Sequence, residues 1–141
     1  MTEKIVRVGT GVIVLNHKNQ FLMGKRKNSH GEGTWGLVGV HVDFGETLEE
    51  CAYRETLEET GLELGSIKVL SVATNFFEDK SKHYVTVFLI GRISGGELEL
   101  KEPHKMESWE FFDWQAMPEP LFLDYYKDVP EALITDYINC Y

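Results

Sequence analysis

The sequence predicts an α/β fold in which a mixed β-sheet carries helices on both faces. Three observations lead there. Val- and Ile-rich stretches recur along the chain, each bounded by Gly, Asn or charged turn residues. One central segment, Thr47 to Leu62, changes to a helical period between two cap signals. A second helical signal closes the chain, where Pro130-Glu131 opens a run that reaches Tyr137. With 141 residues, 43% hydrophobic and 12% aromatic, a single domain over residues 1–141 is expected.

The elements follow in order. Ile5 to Leu15 is rich in Val and Ile and reads as a strand. His17-Lys18-Asn19-Gln20 reads as a turn, and Phe21 to Lys25 as the returning arm of a hairpin. Lys27 to Thr34 is polar and Gly-rich, a mobile loop. Trp35 to Val38 and Val40 to Asp43 are short extended segments. After the central helix, Ile67 to Phe77 and His83 to Ile93 are long strands joined by Glu78-Asp79-Lys80-Ser81-Lys82. Gly95-Gly96 marks a turn, and Ser108 to Asp113 is a further strand. Tyr125 to Tyr137 includes Pro130-Glu131, where Pro suits a first helical position, so the chain ends in a helix.

The central helix has well-marked ends. Thr47 reads as the N-cap, and Glu50 three residues later completes a capping box. Gly61 fits the left-handed position just past the C-terminus. Positions three and four apart share a helix face, so Leu48, Cys51, Ala52, Glu55, Glu58, Glu59 and Leu62 project onto one stripe, with Leu57 on the outer side. The apolar members mark that stripe as inward-facing, yet three carboxylates continue it. Like charges at these spacings repel, and carboxylates that are partly buried and unpaired cost more. A hard divalent cation relieves both, because Mg²⁺ takes oxygen ligands and retains waters. Arg54 projects beside Glu50 and Glu58, and its planar fork can orient Glu46 or Glu58.

Composition narrows the function. A net charge of −9 without a visible basic face argues against a nucleic-acid partner. An acidic chain can still bind phosphates through metal ions that invert the local charge. No apolar run reaches 18 residues, so no membrane span is expected. Met1-Thr2-Glu3-Lys4 lacks the apolar core of a signal peptide. The two cysteines, Cys51 and Cys140, make no disulfide framework. A reducing, cytoplasmic setting is the expectation.

Residues 40–62 resemble the signature box of the Nudix hydrolases. That pattern is Gly, five residues, Glu, seven residues, then Arg-Glu-apolar-x-Glu-Glu-x-Gly-apolar. Here Glu46 is followed by seven residues and Arg54-Glu55-Thr56-Leu57-Glu58-Glu59-Thr60-Gly61-Leu62. Every charged position matches at its spacing. Gly24-Lys25-Arg26, Gly33-Thr34-Trp35-Gly36-Leu37 and Asp43-Phe44-Gly45-Glu46 also look like the family. There are departures. Val40 stands at the first Gly, Val38 where Pro is usual two residues earlier, and Thr56 in the first apolar slot. A β-branched residue tolerates positive φ poorly.

The resemblance implies an α/β/α sandwich, a magnesium cofactor with manganese as a substitute, and water attack on a diphosphate. It implies metal ligation by Glu55 and Glu59, shared by Glu58, with the Val40 backbone carbonyl and Glu107 as further ligands. Arg54 and Glu46 complete the catalytic set. Arg26, Gly39, His41, Trp35 and Phe122 are expected to meet substrate, with Phe76 a further stacking surface and Phe44 in the core. The pairing of His41 to Glu46 with His83-Tyr84-Val85-Thr86, Met106 to Trp114 and Pro120-Leu121-Phe122 looks most like the branch that hydrolyses nucleoside triphosphates, including oxidised ones. Leu123 stands where those relatives often carry Trp. The expected products are the monophosphate and pyrophosphate. Other diphosphate substrates (a nucleotide sugar, a dinucleotide, a prenyl diphosphate) and a nucleotide-binding module without turnover are the alternatives. A homodimer is expected by analogy with the family.

Overall fold

The computed structural model describes residues 4–28, 30–39, 41–77 and 82–141. Its elements are β1 (Val6–Leu15), β2 (Phe21–Arg26), β3 (Trp35–Gly36), α1 (Leu48–Thr60), β4 (Leu62–Phe77), β5 (Lys82–Gly96), β6 (Met106–Phe112), a 3₁₀ turn at Trp114–Ala116, α2 (Tyr125–Asp128) and α3 (Glu131–Cys140). Six strands form one sheet in the order β3-β2-β1-β5-β4, with β6 on the free side of β2. β1 and β5 are parallel from Val6↔His83 to Leu15↔Arg92, and the other ladders are antiparallel, so the sheet is mixed.

The period of two along the central strands divides the core between the two faces. On β1, Val12 and Val14 join Val87 and Leu89 of β5 in a cluster that receives Ala52 of α1. The alternate residues, Ile13, Leu15, Phe88 and Ile90, pack against Tyr125 of α2, Val129 between the helices, and Ile134 and Tyr137 of α3. Burial on both faces explains why these strands read as nearly continuous apolar runs. The β1–β2 turn forms as expected. Asn16 Oδ1 accepts from the backbone N–H of Lys18 and of Gln20, each at 2.9 Å, and Asn19 takes φ 62°.

β1 and β2 pair only at Leu15↔Phe21 and then part. Val38 and His41 come beside β1 where the gap opens, bridging it at Val12↔Val38 and Gly9↔His41. Gly39 lies so close to β1 that an added Cβ would stand 1.9 Å from the Thr10 carbonyl oxygen. Only glycine allows this passage.

Several boundaries differ from the sequence reading. β4 begins directly after α1 and, with β5, is longer than expected. Bulges in its pairing at Glu63/Leu64, Gly65/Lys68 and Val69/Ser71 accommodate that length. Burial on β5 is confined to Thr86–Gly91, so the Phe77/Lys82 end of the β4–β5 ribbon overhangs the core. The closing helix, α3, starts at Glu131 behind Pro130 as expected, and the short helix α2 before it is separate because Val129 and Pro130 are extended. Phe44, expected in the core, is fully exposed. It lies in the turn that carries Gly45 at φ 90°, where no element packs over it. The loop from Lys27 to Thr34 is closed by backbone bonds from Gly33 to Arg26 and from Arg26 to Thr34, each 2.9 Å. Among the described residues, no helix is long and apolar enough to cross a membrane.

Candidate active site

α1 begins and ends as its sequence requires. Thr47 Oγ1 accepts from the Glu50 N–H at 3.0 Å, and Glu50 Oε1 accepts from the Thr47 N–H at 3.0 Å. Gly61 caps the C-terminus at φ 78°, its N–H donating to the Leu57 carbonyl. The inward stripe consists of Cys51, Ala52, Glu55, Thr56, Glu59 and Thr60, while Leu57 is exposed. Glu58, expected on that stripe, is exposed at its margin. One residue of helical rotation carries it toward Arg54, which donates to it at 3.2 Å. Thr56 fills its apolar slot completely buried, but its hydroxyl has no hydrogen-bond partner.

Arg54 organises the outer half of the site. Its Nε and Nη2 donate to the two carboxylate oxygens of Glu46 at 2.9 and 2.7 Å, a bidentate pair. The same guanidinium donates to Glu55 and Glu58 and lies 3.2 Å from Asp43. Glu46 also accepts from the Asp43 N–H at 2.8 Å, which ties the turn before α1 to the helix. These bonds, Arg54 first, hold the Glu46 carboxyl down at about 2. The Arg54 guanidinium is pushed upward mainly by its bonds to Glu46.

The inner half is short of positive charge. Glu55 and Glu59 are only 5% and 9% exposed. Desolvation, then repulsion from Glu55 and Glu102, pushes the Glu59 carboxyl up to about 8, against a hydrogen bond from the Gly39 backbone. Desolvation also raises Glu55, against the pull of Arg54. Glu59 Oε2 is buried without a partner.

Two buried carboxylates, one raising the proton affinity of the other and one with an orphaned oxygen, suit a hard divalent cation. Glu55 and Glu59 would hold it, with Glu58 able to join by leaving Arg54. Among the described residues, no group of three acidic, His or Cys side chains is placed to hold a metal ion. Val40, whose carbonyl was expected to be a ligand, lies outside the described residues.

Glu107, the expected outer acid, is solvent-exposed and pairs with Lys25 at 3.8 Å. The acid acting on both Glu55 and Glu59 is instead Glu102, which leads into β6 and is half-buried beside Lys105 at 3.7 Å. No local signal distinguished Glu102. Its approach depends on how the segment after β5 returns to β2.

Beside the carboxylates lies a cleft of about 280 Å³. Arg26, Gly39, His41 and Phe122, four of the residues expected to meet substrate, are among those that line it. Arg26 joins its two ends. Its charge acts on Glu59, its Cζ sits 4.1 Å from the Phe122 ring centroid, and its Nε donates to the His30 carbonyl at 2.9 Å. Phe77 stacks on Phe122 with centroids 5.4 Å apart at 21°, and His41 stacks on Tyr84 at 5.4 Å and 27°. Phe77, Tyr84 and Thr86 are cleft residues that the sequence reading did not identify as such. Phe76 had been expected in place of Phe77. It points to the opposite face of β4, half-exposed against His83. Trp35 does not reach the cleft. Its ring packs edge-on against Phe112 at 5.3 Å. Its backbone instead fixes Phe122, whose N–H donates to the Trp35 carbonyl at 2.8 Å.

Comparison with known proteins agrees with this arrangement. A model of the NUDIX domain matches residues 6–132. The chain is 34% identical over 126 residues to the ADP-ribose pyrophosphatase of Methanocaldococcus jannaschii, covering 89% of this chain and 70% of that protein. It is 34% identical over 97 residues to the oxidized purine nucleoside triphosphate hydrolase of Mus musculus, covering 68% of this chain and 62% of that protein. The crystal structure of a MutT NUDIX hydrolase from Burkholderia pseudomallei superimposes with a TM-score of 0.78 at 28% identity, over 93% of this chain and 97% of that one. With the domain match spanning β1 to α3 and its relatives named for cleaving nucleotides, the chain belongs to the Nudix hydrolase family.

Proposed function

We propose that the chain is a magnesium-dependent diphosphatase that hydrolyses a nucleoside triphosphate to the monophosphate and pyrophosphate. The observation that carries this reading is the continuity of the site. The aromatic cleft holds Arg26, the Arg26 guanidinium interacts with the Glu59 charge, and Glu59 with that of Glu55. At about 280 Å³ the cleft is at the small end of ligand sites. It suits one nucleoside, with the phosphates extending over Arg26 toward α1.

A bound divalent ion supplies Lewis-acid polarisation of the phosphoryl oxygens and acidifies the attacking water. The chain supplies the rest. Arg26 meets the phosphates next to the sugar. Gly39 lets the backbone approach Glu59 and orients one of its oxygens. Arg54 holds Glu46, Glu55 and Glu58 in register, so the inner carboxylates point into the site. Glu102, whose charge is felt by Glu55 and Glu59, is the residue left to accept the proton of water. Phosphoryl transfer needs positioning and charge balance above all, and these groups provide both.

One observation favours a second reading. The relative aligned over the greater length is named an ADP-ribose pyrophosphatase. The two readings differ in their products. Canonical and oxidised deoxynucleoside triphosphates and ADP-ribose are incubated with enzyme and Mg²⁺, and pyrophosphate and monophosphate are measured. The triphosphate reading expects pyrophosphate and a higher kcat/KM on a triphosphate. A kcat/KM at least tenfold higher on ADP-ribose, yielding AMP and a sugar phosphate, would overturn it. Absence of turnover on every diphosphate would indicate a binding module instead.

A further inference from the structure

One wall of the cleft is wired in a fixed direction. Thr86 is on β5, 7% exposed, and its side chain shares the face of Phe88 and Ile90. Its hydroxyl donates to Asn75 Oδ1 at 2.6 Å. The Asn75 amide Nδ2 donates in turn to Asp128 Oδ2 at 3.2 Å, at the C-terminal end of α2. The carboxylate decides the polarity of the whole chain. An ionised carboxylate only accepts, so Asn75 must turn its NH₂ toward Asp128 and its oxygen toward Thr86. Thr86 therefore spends its single proton on Asn75. What it offers to the cleft is lone pairs alone.

We infer that Thr86 is a specificity-determining residue, and that Asp128 and Asn75 are positioning residues that hold it as an acceptor. The cleft then selects nucleotides whose base presents an N–H donor to this wall. A base with only acceptors leaves lone pairs facing lone pairs where water is displaced, a mismatch that a hydrogen-bonding site rejects strongly. This inference rests on the nucleotide reading above.

The test uses deoxyadenosine, deoxyguanosine and purine deoxyriboside triphosphates, the last having a base without any N–H. For the native enzyme, kcat/KM on the donor-free purine should be at least about tenfold below the better of the other two. Thr86→Ser keeps the hydroxyl and should keep that ratio. Thr86→Val removes it and should bring the ratio toward one. Asp128→Asn frees the Asn75 amide to reverse, so that Thr86 can donate, and the ratio should fall or invert. A structural role alone would lower activity on all three nucleotides without moving the ratio. Should the enzyme turn over no triphosphate, the nucleotide-hydrolysis reading fails first. The same ratio is then measured by calorimetric binding of the corresponding monophosphates. Equal handling of donor-free and donor-bearing bases by the native protein, or a ratio unmoved in both Thr86→Val and Asp128→Asn, overturns the inference.

Discussion

Glu59→Gln should make the protein more stable and abolish its chemistry. The carboxyl ionises near 8 in the folded chain, against 4.5 when solvated. Its contribution to stability is therefore fully present below pH 4.5, where both states are protonated. It is lost as pH rises to 8, because the unfolded chain ionises freely over that window and the folded chain does not. The ceiling on that loss is about 5 kcal/mol. Water penetration and the coupled titration of Glu55 reduce it, and roughly 2–3 kcal/mol is expected. Gln has nearly the same volume. Its oxygen can accept from the Gly39 N–H and its NH₂ can donate to Glu55, so the neutral variant avoids the penalty. The assay is thermal unfolding of both proteins in EDTA between pH 5 and pH 8. The melting temperatures should lie within about 3 °C of each other near pH 5 and differ by roughly 6–12 °C at pH 8, with the variant higher. Millimolar Mg²⁺ should raise the native protein and narrow the gap. Parallel pH profiles, or a variant that melts lower at pH 8, would refute the argument that Glu59 is a strained, cation-awaiting carboxylate.

Three further substitutions test other parts of the site. Glu58→Gln should lower kcat about a hundredfold or more under steady-state assay. Its melting temperature should be nearly unchanged, because the side chain is exposed and its loss costs within about 0.5 kcal/mol. Thr56→Val should raise stability by about 1 kcal/mol in urea titration with activity retained, because it removes a buried hydroxyl that has no partner. Gly39→Ala should destabilise by more than about 3 kcal/mol and eliminate turnover, since the added methyl would overlap the Thr10 carbonyl. A soluble, active Ala variant would show that the segment beside β1 has room to move.

What could be read from the sequence was local. The caps of α1, the burial of Glu55 and Glu59 and the grip of Arg54 on Glu46 all follow from spacings within about twenty residues. So do the nearly continuous apolar runs that suit β1 and β5 to a sheet covered on both faces. What could not be read depends on register between distant segments. Phe76 and Phe77 are equivalent by propensity, and only the bulged β4–β5 pairing decides which one faces the cleft. Glu102 and Glu107 are both acids near β6, and the route of the chain back to β2 decides which of them approaches α1. Trp35 has the composition of a stacking platform. Its strand instead turns the ring into the core and leaves the stacking to Phe122, which it holds by a backbone bond. Glu58 was misread for a simpler reason. Ideal helical projection places it at the border of the stripe, and the attraction of Arg54 settles the side.

The projecting end of the β4–β5 ribbon has an evolutionary consequence. Phe77 and Tyr84 stand on it, beyond the buried stretch of β5, whereas Glu55 and Glu59 are buried where α1 packs on the sheet. Exchanges on the ribbon can therefore reshape that wall of the cleft while leaving the α1 carboxylates and the melting point nearly untouched. A lineage built on this scaffold can diversify its diet one side chain at a time.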